Sequence, residues 1–495
     1  MTGSVRARWT AVVLCLLLAV GGLAVLLRER GTGPVAEPDR PVTPAATATT
    51  TAAGTPRETG RPDLLQLLAG YRDFWAPRGD LRGTVRNATV LGRDDRLAVW
   101  INQHATGQQR FLALQDAEYQ NPDGTAYDQS VTIATGLGSR LGPLYVKGRT
   151  SGALPLTSAL VDNSDGTAGD YVDTTAAKAA FSHPRPSVPT DPDTPRVAGD
   201  AQACAPSRTN AASLRGIRVG RAWADRDGNL KITRVPPVID TTHHFSRRDV
   251  PLDGHYGRAG LCTGGSFPSG HTTSAYQAGL TLATLLPELA PEILARTSEA
   301  GNNRIVLGVH YPLDVMGGRI AGEAAVAARW ADPSFRRKVL RPARAELVAY
   351  LERTCGHPLV ECIAAQRPYA SDPYGGRVMP GGTAQVVTDR RSAVAVYRER
   401  LTYGFDPVGD PDRAPSVPPP AADLLRTAFP TLTGRQRADV LAQTQLPSGY
   451  PLDRSTAPGS WQRLDLAAAM SATVRLAKDG SAQVVSTGGP AVVVE

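Results

Sequence analysis

The chain has 495 residues, 41% of them hydrophobic and 20% charged, with 49 Gly and 40 Pro. This length can bury a large core in one big domain with appendages or in two to three domains, and the mix is globular and loop-rich, not fibrous or wholly disordered. The formal net charge is +8, to which Arg6, Arg8, Arg28 and Arg30 against Glu29 contribute +3; the rest suits an anionic substrate, and no basic run with interleaved aromatics supports nucleic-acid binding.

Arg6 and Arg8 precede an uncharged, largely apolar stretch from Thr10 to Leu27, which meets Arg28, Glu29 and Arg30. It reads as an export segment. Its 18 residues exceed a usual signal-peptide core and just reach spanning length, while Gly22-Leu23-Ala24 offers a small-x-small cleavage pattern. A cleaved signal and a membrane anchor therefore both stay open for residues 1–33. Residues 34–62 collapse to Pro, Ala, Thr and Gly and read as a linker without the apolar content to fold. Cys15 lies in the export segment, leaving Cys204, Cys262, Cys355 and Cys362, an even number in a compartment that permits oxidation. Chain order favours Cys355 with Cys362 and Cys204 with Cys262 among the three pairings. A zinc site is the rival, without CxxC or HExxH spacing to support it.

From Leu64 apolar periodicity returns. Leu64, Leu65, Leu67, Leu68 and Tyr71 fit one helix face, and Leu97, Ala98, Trp100 and Ile101 another. Thr272 to Leu286 is apolar nearly all round, which predicts a buried helix stopped by Pro287. A second such helix follows Pro312 through Val315, Met316, Ile320, Ala321, Ala324 and Val326, with Gly317, Gly318 and Gly322 allowing close helix approach. Ala343 to Thr354 reads as a helix broken by Gly356 and Pro358, and Leu359 to Gln366 as a short one. Tyr369 to Gly382 reads as loop. Thr388 is placed to cap a helix through Leu401, ending at Gly404, and Thr433 with Gln436 makes a capping box before another. Ser471 to Leu476, Lys478-Asp479-Gly480 and Ala482 to Ser486 read as a β-hairpin. Trp75, Trp100 and Trp330 are simplest as core aromatics.

Three short elements occur in order: Lys178 with Arg185-Pro186 downstream, Pro268-Ser269-Gly270-His271, and Arg304 with His310 and Asp314 beyond it. On these the chain resembles the superfamily of type 2 phosphatidic acid phosphatases, class A bacterial acid phosphatases and vanadium haloperoxidases, whose signature is K-x6-RP, PSGH and SR-x5-H-x3-D. The stretch from Gly265 through Ala327 looks most like the soluble acid phosphatases. The resemblance implies a mainly α fold: a helical phosphatase/haloperoxidase core over 63–342, with residues 187–267 as an insertion between motifs. A helical segment with the Cys pair and a loop follows over 343–382, and a smaller C-terminal appendage of helices and a β-hairpin over 383–495. It implies His310 as nucleophile, His271 as general acid, Asp314 as the partner of His310, and Lys178, Arg185, Ser269, Gly270 and Arg304 as phosphate ligands. Asn303 departs from the pattern, standing where the family has Ser, so that a longer amide contact to phosphate is expected there.

The chemistry of the residues agrees. Lys178, Arg185 and Arg304 offer a point charge and two planar forks to anionic oxygens, and Ser269 and Gly270 precede a helix whose free N–H groups favour phosphate. Pro312 belongs in a first helical turn, which puts His310 just before the helix and Asp314 inside its start, close enough for the carboxylate to hold one ring nitrogen while the other attacks phosphorus. His243 and His244 beside Asp240 invite a metal reading, but adjacent histidines point apart. The reading is an exported acid phosphatase, extracellular or on the outer face of the cell membrane, acting on a small phosphorylated substrate without metal or cofactor, with residues 10–27 as a membrane tether if retained. A haloperoxidase holding vanadate on His310 and a non-catalytic phosphate-binding envelope protein are the alternatives.

Overall fold

A computed structural model describes residues 60–118, 129–163, 166–186, 212–254, 264–454 and 459–494; the export segment, nearly all of the linker, Cys204 and Cys262 lie outside them. The fold is mainly helical. The helices that matter for the site are α1 (Ala88–His104), α2 (Gly107–Glu118), α3 (Thr175–Phe181), α4 (Gly270–Leu285), α5 (Ala290–Val306), α6 (Pro312–Ala331), α7 (Arg341–Cys355), α8 (Leu359–Ala364), α9 (Arg390–Arg400) and α10 (Gly434–Thr444).

Three consecutive helices form the centre, with α4 packed against both α5 and α6. In α4 every residue from Thr272 to Leu285 except Ser274 is buried, as an all-round apolar segment must be, and Pro287 ends the run because it has no N–H to give. The close approach of α6 to α4 depends on its glycines. A Cβ on Gly318 would lie 2.6 Å from the Ser269 carbonyl oxygen, and one on Gly322 would lie 2.5 Å from Tyr276 Cβ. Among the described residues no single helix is long and apolar enough to cross a membrane.

Helix α5 is buried over its whole length although it carries Glu292, Arg296 and Glu299. Each charge is met by a residue distant in sequence: Arg296 grips Asp116 through both terminal nitrogens, Tyr369 and Ser371 donate to Glu299, and Arg390 pairs with Glu292. Charges buried this way stay compatible with folding because each is hydrogen-bonded as well as neutralised.

Several elements differ in detail from the pattern in the sequence. The first helix stops after Leu64–Leu67 and tightens into a 3-10 turn over Ala69–Asp73, still burying Leu68 and Tyr71. Asp389, not Thr388, caps α9, because its carboxylate reaches the Ser392 N–H. The capping box of Thr433 and Gln436 starts α10. Trp75 and Trp330 are buried, while Trp100 is half-buried and stacks on His104. A disulfide joins Cys355 to Cys362 across the turn between α7 and α8, where Gly356 takes a left-handed φ of 84°. The hairpin of Thr473–Leu476 with Ala482–Ser486 gains a third strand, Val492–Val494, running parallel to the first.

Candidate active site

Lys178 sits in the last turn of α3, and Ser182 in the left-handed conformation ends that helix. The Ser182 hydroxyl accepts a hydrogen bond from the Leu81 N–H, which fixes the exit of the chain toward Arg185. Lys178 Nζ donates to the Gly265 carbonyl at 3.2 Å, and Arg185 Nη1 to the Val309 carbonyl at 3.2 Å. Both cations are buried.

Ser269 caps α4: its hydroxyl accepts from the Thr272 N–H at 3.3 Å and from Thr272 Oγ1 at 2.9 Å. Its own N–H donates to the Asp314 carbonyl at 3.0 Å, tying the start of α4 to the start of α6. Gly270 is the first residue of α4, and a Cβ there would meet Thr174 Oγ1 at 2.9 Å. His271 follows, half-buried.

Arg304 lies in the last turn of α5. The chain reverses at Gly308, whose φ of 72° and clash of any Cβ with Ile232 Cγ2 at 2.2 Å restrict the position to glycine. This turn delivers His310. Asp314 is the third residue of α6, and its Oδ2 accepts from the Tyr311 N–H at 2.9 Å and lies 3.0 Å from His310 Nδ1. On the other side of the ring, His310 Nε2 is 2.9 Å from Arg185 Nη1. A guanidinium can only donate, so Nε2 is the acceptor and the imidazole is neutral with its hydrogen on Nδ1.

The electrostatics follow from this packing. Burial, then the charges of Arg185, Lys178 and Arg304 and the neighbouring His271, hold His310 well below the ordinary histidine range. Burial pushes the Asp314 carboxyl up to about 7, against the downward pull of the Tyr311 N–H, Arg185 and Lys178. The structure thus gathers Lys178, Arg185, His271 and Arg304 around the His310–Asp314 pair, with Ser269 and Gly270 at the adjoining N-terminus of α4.

Asn303 is used differently from the expectation for it. Its carbonyl accepts from Gln109 Nε2 at 2.5 Å and its amide donates to Asp116 Oδ2 at 2.7 Å, so both ends are spent on α2 in the interior. His243 bonds exposed Asp249, whereas buried Asp240 accepts from Gln115 and Thr242, and the three do not converge. Among the described residues no cluster of His, Cys, Asp or Glu could hold a metal ion.

A buried polar shell behind the pair went unread in the sequence. Arg218 forms two bonds to Asp95, at 2.7 and 2.9 Å, and donates to the Tyr311 hydroxyl at 3.1 Å, while Asp94 Oδ1 accepts the Leu313 N–H at 3.0 Å at the start of α6. Ser266 Oγ reaches Asp314 Oδ1 at 3.2 Å, and His183 Nδ1 reaches Ser266 Oγ at 3.1 Å. The one available signal was the adjacent pair Asp94-Asp95 set between the core residues Leu91 and Leu97 of α1, since unpaired acids are rarely buried.

Residues 166–338 match the family model described as PAP2 superfamily. Among curated proteins the chain is 40% identical over 114 residues to an acid phosphatase of Zymomonas mobilis, covering 23% of this chain and 40% of that one. It is 39% identical over 131 residues to a non-specific acid phosphatase of Salmonella typhi, covering 26% and 49%, and 37% identical over 79 residues to one of Providencia stuartii, covering 16% and 32%. The matches therefore span 32% to 49% of the length of these relatives. All three motif elements, from Lys178 to Asp314, fall inside the matched span, so the similarity to the PAP2 superfamily lies on the residues of the site.

Proposed function

We propose that this chain is an exported, metal-independent phosphatase that hydrolyses phosphomonoesters through a phosphohistidine on His310. The observation that carries the reading is the state of the His310 ring: Nδ1 is held by Asp314, Nε2 accepts from Arg185 at 2.9 Å, and the charges of Lys178 and Arg304 act on the same ring. Burial among positive charges keeps this imidazole unprotonated in acid, where an exposed one would be lost to protonation.

In the first step Nε2 attacks phosphorus as the ester P–O bond breaks, and His271 gives its proton to the departing oxygen. Lys178, Arg185, Arg304 and the N–H groups at the start of α4 stabilise the charge on the equatorial oxygens, and Asp314 supports the positive charge that develops on the ring. His271 then takes a proton from water as the water oxygen attacks phosphorus, the P–N bond breaks, and inorganic phosphate leaves with His310 neutral again. The relatives named as acid phosphatases support this over a vanadate-holding peroxidase. Export is supported by the basic, then apolar, N-terminus and by the Cys355–Cys362 disulfide, a bond of oxidising compartments.

The test separates the two histidines by leaving group, in buffer with chelator. His310→Ala should lose roughly 10⁴-fold or more on aryl and alkyl phosphates alike, since no nucleophile remains. His271→Ala should lose about 10² to 10⁴-fold on alkyl esters and far less on aryl esters, whose phenol departs unassisted. Acid-labile label from radioactive aryl phosphate should appear in wild type and His271→Ala and be missing from His310→Ala. Label persisting in His310→Ala, or activity abolished by chelator and restored by a divalent metal, defeats the reading.

A further inference from the structure

We infer that His183 and Ser266 are positioning residues: a two-step hydrogen-bond relay that fixes the second oxygen of the Asp314 carboxylate and, through it, the His310 ring. This rests on the phosphohistidine reading and deepens it.

With Asp314 ionised, the geometry sets the direction of every hydrogen. Asp314 spends Oδ2 on His310 and the Tyr311 N–H, and Oδ1 faces Ser266 Oγ at 3.2 Å. An ionised carboxylate only accepts, and a serine hydroxyl has a single hydrogen, so that hydrogen belongs to Asp314. His183 Nδ1, 3.1 Å from the same hydroxyl oxygen, must then be the donor. The backbone repeats the link, because the Ser266 N–H donates to the His183 carbonyl at 2.8 Å. His183, Ser266 and Asp314 are all essentially without solvent exposure, so no bulk water substitutes for a missing partner.

His183 is suited to be a fixed donor. Its ring is held edge-on by Trp75, Tyr311 and Tyr71, at centroid distances of 4.8, 5.3 and 5.7 Å, which fixes its orientation. Its Nε2 has no hydrogen-bond partner among the described residues, which agrees with a bare lone pair there and the hydrogen on Nδ1. Burial, with the positive charge of Arg218, lowers the ring to about 3, so it stays neutral and keeps one tautomer throughout the working range. It lies between Lys178 and Arg185 in the sequence but is no part of their spacing pattern.

Around Asp314 stand Lys178 and Arg185 with positive charge, the neutral His310, and the Tyr311 N–H, while Asp94, Tyr71 and the Tyr311 hydroxyl couple to it electrostatically. The Ser266 hydroxyl favours the ionised carboxylate, the form that accepts the His310 hydrogen. Removing the hydroxyl leaves Oδ1 short of a donor, and the carboxyl then keeps its proton to higher pH.

The experiment measures kcat/KM against pH for an aryl phosphate with the full chain, in wild type, Ser266→Ala, His183→Leu and His183→Asn. The acid limb should move upward by about one pH unit in Ser266→Ala, with activity below the limb down about tenfold and KM on the plateau within about twofold of wild type. His183→Leu should move the limb in the same direction, and His183→Asn, whose amide N–H stands near the place of Nδ1–H, should restore it. A folded Ser266→Ala with an unmoved limb overturns the inference. If Ser266→Ala does not fold, the two His183 variants decide, and equal limbs for Leu and Asn overturn it. Ring nitrogen NMR of the wild type needs no activity: a neutral His183 with hydrogen on Nδ1 is expected, and a hydrogen on Nε2 overturns the relay even if the phosphatase reading has failed separately.

Discussion

The His310 ring is set by two unlike neighbours, a guanidinium that only donates and a carboxylate that accepts. Arg185 can only donate to Nε2, and Asp314 can accept from Nδ1, so the ring is held in the tautomer that the proposed attack requires. These residues were readable because three short motifs in order carried a family resemblance that named them, and their chemistry as a cation cage around a His–Asp pair agreed with it. Asn303 was not. Its neighbours Gln109 and Asp116 lie far back in the chain, and nothing local shows that its amide is tied down at both ends. Asn303→Ser, which restores the residue common in the family, should therefore cost stability without improving binding. Leaving Gln109 without its Asn303 acceptor and taking one of several donors from Asp116 costs about 1–3 kcal/mol, so the variant should melt at lower temperature, and its KM for aryl phosphate should stay within about threefold of wild type. A tighter KM with an unchanged melt would show that the position faces substrate after all.

At the scale of elements, α4 and α6 were legible because an apolar run bounded by Pro287 or opened by Pro312 has few other readings. Helix α5 was not legible as a buried element. Glu292, Arg296 and Glu299 look like a solvated face until Arg390, Asp116, Tyr369 and Ser371 are brought to them by the fold. The strand Val492–Val494 was missed because three valines near a chain end form no alternating pattern. The packing of α6 on α4 makes a further prediction. Gly318→Ala places a Cβ 2.6 Å from the Ser269 carbonyl and 2.8 Å from Thr272 Cβ, at the cap that aims the start of α4. Backbone must move to relieve it, at a cost of about 1–3 kcal/mol. Chemical denaturation should show that loss, together with a fall in kcat larger than in Gly216→Ala, where a Cβ meets nothing within 4 Å. Equal activity in the two variants would refute a positioning role for this contact.

Across the whole molecule, the domain matched to the family does not close its own core. Arg319 and Glu323 on α6 are fully buried, and Arg319 also donates to the Trp461 and Gln462 carbonyls while Tyr397 donates to Glu323. Arg400 similarly reaches the Ala295 carbonyl and Ser298 on α5. A chain ending at Lys338, the edge of the family match, would keep the three motif elements and lose all of these partners. It should fail to give a cooperative melt and should show no phosphatase activity, whereas the full chain should give both; a folded, active 338-residue chain would show that the later residues are dispensable.

The bond from Arg319 to Gln462 also sets an order of events during synthesis. Helix α6 leaves the ribosome some 140 residues before the carbonyls that complete it, a wait of roughly 7–28 s at ordinary elongation rates. Through that interval Arg319 and Glu323, four residues apart on one helix, have only each other. The central helix α6 is thus made early, and the carbonyls that complete the burial of Arg319 are among the last parts of the core to be supplied.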